Sequence, residues 1–268
     1  MSEPTEPRDP PAHDPAAHDP VAVARLGGKP VMPKRFYKQA AAAPVDAGLF
    51  RIELDGRPVR TPGRAHLAVP SLPLAEAVAA EWAAQGETIE PMTMPLTRLV
   101  NSAIDGVEAN ANEVAAEIVR YAATDLLCYR ADGPEKLVTL QRELWDPVLA
   151  WAREEFGARF VLSEGVRHVE QPKETLERIA LKLPTDSLHL AALNLMTTLS
   201  GSAVIALAVW SKHLSALDAW RVAHIDEETQ EELWGTDYEA QLRRESRWRD
   251  FAAAAQCLTL LHCKPDES

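Results

Sequence analysis

From Leu96 onward apolar residues recur at steps of three and four with few interruptions, which commits most of the chain to amphipathic helices packed on one another. Over Asn112–Tyr129, Val114, Ile118, Tyr121, Ala122 and Leu126 share a face, and Leu137, Leu140, Leu144, Val148 and Trp151 step along the next helix. Pro147 falls inside that second pattern and predicts a kink between Leu144 and Val148. Further helices are predicted over Lys173–Leu183, Ser187–Trp210, Ser215–Leu233 and Tyr238–Leu261. The window Leu188–Trp210 is long enough to suggest a membrane span, but His189, Asn194, Thr197, Thr198, Ser200, Gly201 and Ser202 interrupt it, so a buried helix is expected.

Before Leu96 the pattern is different. Phe50, Ile52 and Leu54 alternate with Arg51, Glu53 and Asp55, and Asp55-Gly56 is a tight hairpin signal. A second turn at Thr61-Pro62-Gly63-Arg64 precedes an expected strand at His66–Val69. Leu72–Gln85 reads as a helix with Leu74, Val78, Ala79 and Trp82 on one stripe, stopped by Gly86, and Thr88–Pro95 as an extended connector. The fold class is therefore α+β: a small N-terminal β-rich domain with one helix over residues 31–95, then a larger all-helical C-terminal domain over 96–268. Residues 1–30 are acidic and proline-rich, repeat Ala-His-Asp-Pro at Ala12 and Ala17, and are expected to be disordered. No positive stretch followed by an apolar run is visible there, so no targeting peptide is expected and the location is read as cytoplasmic.

Charge narrows the partners. With 28 Lys and Arg against 40 Asp and Glu, the 268-residue chain carries a formal charge of −12, which repels phosphate backbones and anionic lipid. Neither nucleic acid nor membrane is an expected partner. Cys128, Cys257 and Cys263 are an odd set in a chain too long to need disulfides, and all are expected to be free thiols.

Catalytic signatures are missing: the sequence contains no phosphate-binding glycine loop, dinucleotide fingerprint, HExxH, CxxC or GxSxG. His262 beside Cys263, and His13 with His18, lack the further ligands a metal needs, so neither a metal nor a cofactor is expected. Asp125 lies near the apolar face within Thr124-Asp-Leu-Leu-Cys-Tyr-Arg130, and a buried ion pair with Arg130 or Arg142 is expected. Glu227, Glu228, Glu231 and Glu232 form an acidic ridge at helical spacing that ends at Leu233, Trp234 and Gly235. Such a ridge is either a solvated face or a docking edge with an aromatic anchor, and Arg243, Arg244, Arg247 and Arg249 downstream are placed to neutralise it. An enzyme with a site at the junction of the two domains is the alternative reading, with Asp125, Arg98 and His224 as nominal groups.

Several stretches in fixed order carry a resemblance over about Arg35 to Leu261. They are Arg35-Phe-Tyr-Lys38, Leu54-Asp-Gly-Arg-Pro-Val-Arg-Thr-Pro62, Ala80-Glu-Trp82, Pro95-Leu-Thr-Arg98 with Asn101, Thr124 to Arg130, Leu140-Gln-Arg-Glu-Leu-Trp-Asp-Pro147, and Trp234-Gly235 with Asp237. The chain resembles the assembly chaperones that bind the α subunit of F-type ATP synthase in mitochondria and α-proteobacteria. That resemblance implies a non-catalytic protein that binds unassembled α subunit transiently, shields the surface destined for β subunit, and releases it as β subunit joins. It also implies client contacts at Glu228, Gln230, Trp234, Gly235 and Asp237, while Trp82, on the apolar stripe of its helix, and Asp125 with Arg130 are read from their own pattern as structural.

Overall fold

The computed structural model describes residues 32–165, 167–235 and 238–262. Its N-terminal part is a small antiparallel sheet. Strand β1 (Ala40–Val45) pairs with β2 (Leu49–Leu54), which also pairs with β3 (Arg57–Pro58) and β4 (Ala68–Val69). The β2–β3 turn forms where expected: Asp55 and Gly56 both take positive φ, 49° and 75°, as a right-twisted two-residue hairpin requires. Helix α1 (Leu72–Ala83) lies on β1 and β2 and buries Leu74, Ala75, Val78 and Ala79.

Several residues of the stretches that carry the resemblance hold this part together. The Arg35 guanidinium donates to the carbonyls of Tyr37, Lys38, Ala83 and Gln85, gathering the end of α1 onto the strand approach. Tyr37 donates its hydroxyl to the Trp82 carbonyl at 2.8 Å, and the two rings meet edge-on at 5.9 Å. Glu81 accepts from the backbone N–H groups of Leu96 and Thr97 and from the Thr97 hydroxyl, capping the next helix, α2 (Pro95–Ser102). Burial pushes the Glu81 carboxyl up against these three lowering bonds.

Eight further helices follow among the described residues: α3 (Ala111–Ala123), α4 (Glu135–Phe156), α5 (Lys173–Ala180), α6 (Ser187–Ser200), α7 (Ala203–Trp210), α8 (Ala216–Ala223), α9 (Ile225–Trp234) and α10 (Tyr238–His262). They and the sheet share one apolar cluster running from Ile52 and Leu67 through Trp145 and Leu193 to Phe251. The α+β class and the order of its parts are as the sequence predicts. Among the described residues no helix is long and apolar enough to cross a membrane.

Three helices differ from expectation. The one predicted over Asn112–Tyr129 stops at Ala123; Leu126–Cys128 is a 3-10 turn, and Tyr129–Arg130 forms strand β5, parallel to β6 (Ser163–Glu164). The one predicted over Ser215–Leu233 breaks at His224. The apolar window Ser187–Trp210 is two helices, because Gly201 turns left-handed at φ 71° and Ser202 caps α7 by accepting from Ile205 N–H at 3.0 Å. A Cβ at Gly201 would meet only Leu126 Cβ, at an ordinary 3.7 Å, so the cost of Gly201→Ala is conformational. We expect about 1 kcal/mol of lost stability by chemical denaturation.

Asp125 explains why the chain breaks there. It is fully buried, and its Oδ1 accepts from Leu127 N–H while Oδ2 accepts from Val204 N–H, both at 3.1 Å. Leu126 N–H donates in turn to the Gly201 carbonyl at 3.1 Å. The carboxylate thus satisfies orphan donors at the start of α7, and the expected ion pair with Arg130 or Arg142 is absent. Arg130 instead pairs with Asp146 at 2.8 Å, donates to the Leu127 carbonyl and lies over the Trp145 ring. Two separate anchors replace one pair because backbone N–H groups at a helix start already supply what a buried carboxylate needs.

Candidate functional site

Helices α8, α9 and α10 meet at one corner of the helical part. His224, buried at the α8–α9 break, donates from Nδ1 to the Trp220 carbonyl at 2.8 Å, and its ring lies 3.8 Å from that of Trp220. Desolvation lowers its pKa, so the ring is neutral near pH 7. The first turn of α9 is acidic, as favours a helix N-terminus. Gln141 of α4 donates to Asp226 at 2.8 Å and Trp145 donates to the Val222 carbonyl at 2.8 Å, fixing α8 and α9 to the body.

Glu227, Glu228 and Glu231 of the acidic ridge are met by arginines of α10. Arg244 reaches both Glu228 and Glu231, the latter at 3.2 Å, and Arg247 approaches Glu227 at 3.8 Å. These pairs are partly exposed, so their geometric role outweighs their contribution to stability. Arg244 stands between two clefts of about 440 Å³ each. One is lined by charged and polar side chains, Glu227, Gln230, Glu231, Arg243 and Arg247, with Gly235. The other is lined by Leu217, the buried Trp220 and Trp248 together with Glu228, Gln241 and Arg244.

Of the residues assigned by resemblance, Glu228 and Gln230 lie on α9, with Glu228 half-buried against Arg244 and Gln230 exposed. Gly235 ends the helix at φ 88°. The Trp234 side chain and Asp237 lie outside the described residues. Sequence reasoning missed Leu217, Trp220 and Trp248. Trp220 of α8 and Trp248 of α10 are brought to 5.5 Å, with Phe251 also 5.5 Å from Trp220, by the packing of two helices that α9 separates in the chain. On the same helices Leu217, Tyr238 and Leu242 are respectively 48%, 71% and 47% exposed, and Tyr238 and Leu242 share one face of α10 by their spacing of four. An aromatic wall with apolar flanks and a charged rim has the make-up of a protein-docking surface.

The groups nominated for an enzyme site do not converge. Asp125 is spent on the start of α7, Arg98 pairs with Asp250, and His224 is committed to Trp220. Trp82 lies at the other end, half-buried between α1 and Tyr37.

A family model described as ATP12 chaperone protein matches residues 34–153. Among solved structures, the chain is 45% identical to the Atu1473 protein of Agrobacterium tumefaciens, with 92% of this chain and 93% of that one covered and a TM-score of 0.83. It is 39% identical to Atp12 from Paracoccus denitrificans, covering 85% of this chain and 98% of that one, with a TM-score of 0.79. A mutant form of the Paracoccus denitrificans protein matches equally well, at 39% identity and a TM-score of 0.79. Identity of this extent over nearly the full length of those proteins shows that the chain belongs to the ATP12 chaperone family.

Proposed function

We propose that this protein binds unassembled ATP synthase α subunit in the bacterial cytoplasm, shields its β-facing surface and yields it to β subunit. It performs no catalysis and uses no cofactor in this reading. An unassembled subunit exposes apolar surface that aggregates, and a reversible cap prevents this without nucleotide. The observation that carries the reading is the pairing of an aromatic cleft with a charged one around Arg244, next to Glu228 and Gln230. Leu217 and the half-buried Trp248, set on the buried Trp220, supply apolar contact area, and the charged rim supplies discrimination between partners.

Co-expression with isolated α subunit tests it. Soluble α subunit should co-elute with the chaperone on size exclusion, and added β subunit should displace the chaperone; α subunit left insoluble would contradict the proposal. Glu228→Lys sets a second positive charge beside Arg244. Its partly exposed ion pair is worth under about 1 kcal/mol, so the melting temperature should change little, while α-subunit affinity should fall on the order of tenfold. Undiminished capture by a folded Glu228→Lys protein would remove Glu228 from the docking surface.

A further inference from the structure

Strand β1 forms one edge of the sheet. The Val59 N–H donates to the Ile52 carbonyl at 2.8 Å, and the Ile52 N–H donates to the Leu67 carbonyl at 3.1 Å, so both main-chain groups of Ile52 face away from β1. Ala42 stands directly opposite Ile52, and in an antiparallel pair both members of such a couple direct their main-chain groups outward. Ala42 therefore points its N–H and C=O to the open side of β1. Ala40 and Pro44, opposite Leu54 and Phe50, have the same parity. β1 is the end strand of its sheet, and among the described residues these outward groups meet no backbone partner.

An edge strand left open is usually blunted by charge, by a bulge or by a covering element. The β1 sequence, Ala-Ala-Ala-Ala-Pro-Val, carries no charge, and its small side chains leave the backbone open to approach. Only Pro44 limits it, at one end, by lacking an N–H. Four residues before the strand, Phe36 is 76% exposed. Unpaired N–H and C=O groups in strand geometry are matched by one kind of occupant, an extended polypeptide segment that adds a strand, and Phe36 gives that segment an apolar contact beside it.

We propose that the open edge of β1, from Ala40 to Pro44, takes an extended, weakly charged segment of the client as an added strand. This rests on the client-binding reading above and adds to it a backbone-recognising site on the sheet. Main-chain pairing reads extension more than sequence, which suits a client segment that awaits its own partner.

Residue-resolved amide hydrogen exchange on the full chain, with and without isolated α subunit, tests the proposal. In the free protein the Ala40 and Ala42 amides should exchange at close to unprotected rates, and in the co-eluting complex they should slow at least tenfold. Ala42→Pro removes the central outward donor while sparing the β1–β2 ladder, as Pro44 shows for a position of the same parity. It should lower capture of α subunit several-fold. Unchanged exchange at both amides in a complex that co-elutes would overturn the added-strand site and leave the client reading standing. Slow exchange in the free protein would mean that residues 1–31 or a second copy already cover the edge, and would also overturn it. Failure of the wild-type chain to co-elute with α subunit would overturn both.

Discussion

Asp125→Ala should be among the most destabilising single substitutions in the chain, lowering unfolding free energy by about 3 kcal/mol at neutral pH. The change strips acceptors from the buried N–H groups of Leu127 and Val204 and opens a void where α6 ends and α7 begins. Its pH dependence carries a sign that separates this account from an ion-pair account. Burial raises the Asp125 pKa from 3.8 to about 6, against the lowering effect of its hydrogen bonds. A raised native pKa means that the folded protein holds this proton more tightly than the unfolded chain does. The resulting stability is full below pH 3.8 and lost as pH rises through about 6, a change of about 3 kcal/mol. The gap between wild type and Asp125→Ala should therefore widen as the pH falls from 7 to 4, measured by urea denaturation at each pH. A carboxylate stabilised by Arg130 would show the opposite trend, with the gap narrowing in acid.

The second large effect is expected at the other end of the molecule. Trp82 is half-buried, meets Tyr37 edge-on and lends its carbonyl to the Tyr37 hydroxyl. Trp82→Arg exchanges that aromatic contact for a charge at the seam of α1 and the strand approach, where Arg35 already places one guanidinium over the Tyr37 ring at 4.7 Å. Two cations at one ring repel, and the lost aromatic burial adds to the cost, so we expect a loss of about 2–4 kcal/mol. A fall in melting temperature of several degrees, with capture of α subunit kept below the transition, is the expected result. An unchanged melting temperature combined with lost capture would move Trp82 from the fold to the docking surface.

What the sequence made legible follows the range of the forces involved. The Asp55-Gly56 hairpin, helix α1 and the long helices α4 and α10 are encoded locally, by turn residues and by apolar spacing, and form within a few residues of expectation. The break at Gly201-Ser202 carried a local signal, a glycine followed by a capping serine, which the continuous apolar run around it masked. Strand β1 had little signal: four alanines do not alternate, and pairing with β2 decides their conformation. The partners of Asp125 were out of reach, since Val204 comes to it only through the packing of α7. The same holds for the docking corner. Glu228 and the arginines of α10 were visible as charges on predicted helices, whereas the wall of Trp220 and Trp248 exists only once α8 and α10 are packed.

The most direct measurement of the central claim is site-specific photo-crosslinking to isolated α subunit. A photoreactive phenylalanine analogue replaces in turn Leu217, which lines the aromatic cleft, Leu242, which follows the lining residue Gln241 on α10, and Leu181, which is 84% exposed and lies in none of the docking elements. The account predicts α-subunit adducts from positions 217 and 242, suppressed by added β subunit, and none from position 181. Adducts of equal yield from all three positions, or from Leu181 alone, would contradict client docking at the α8–α10 corner.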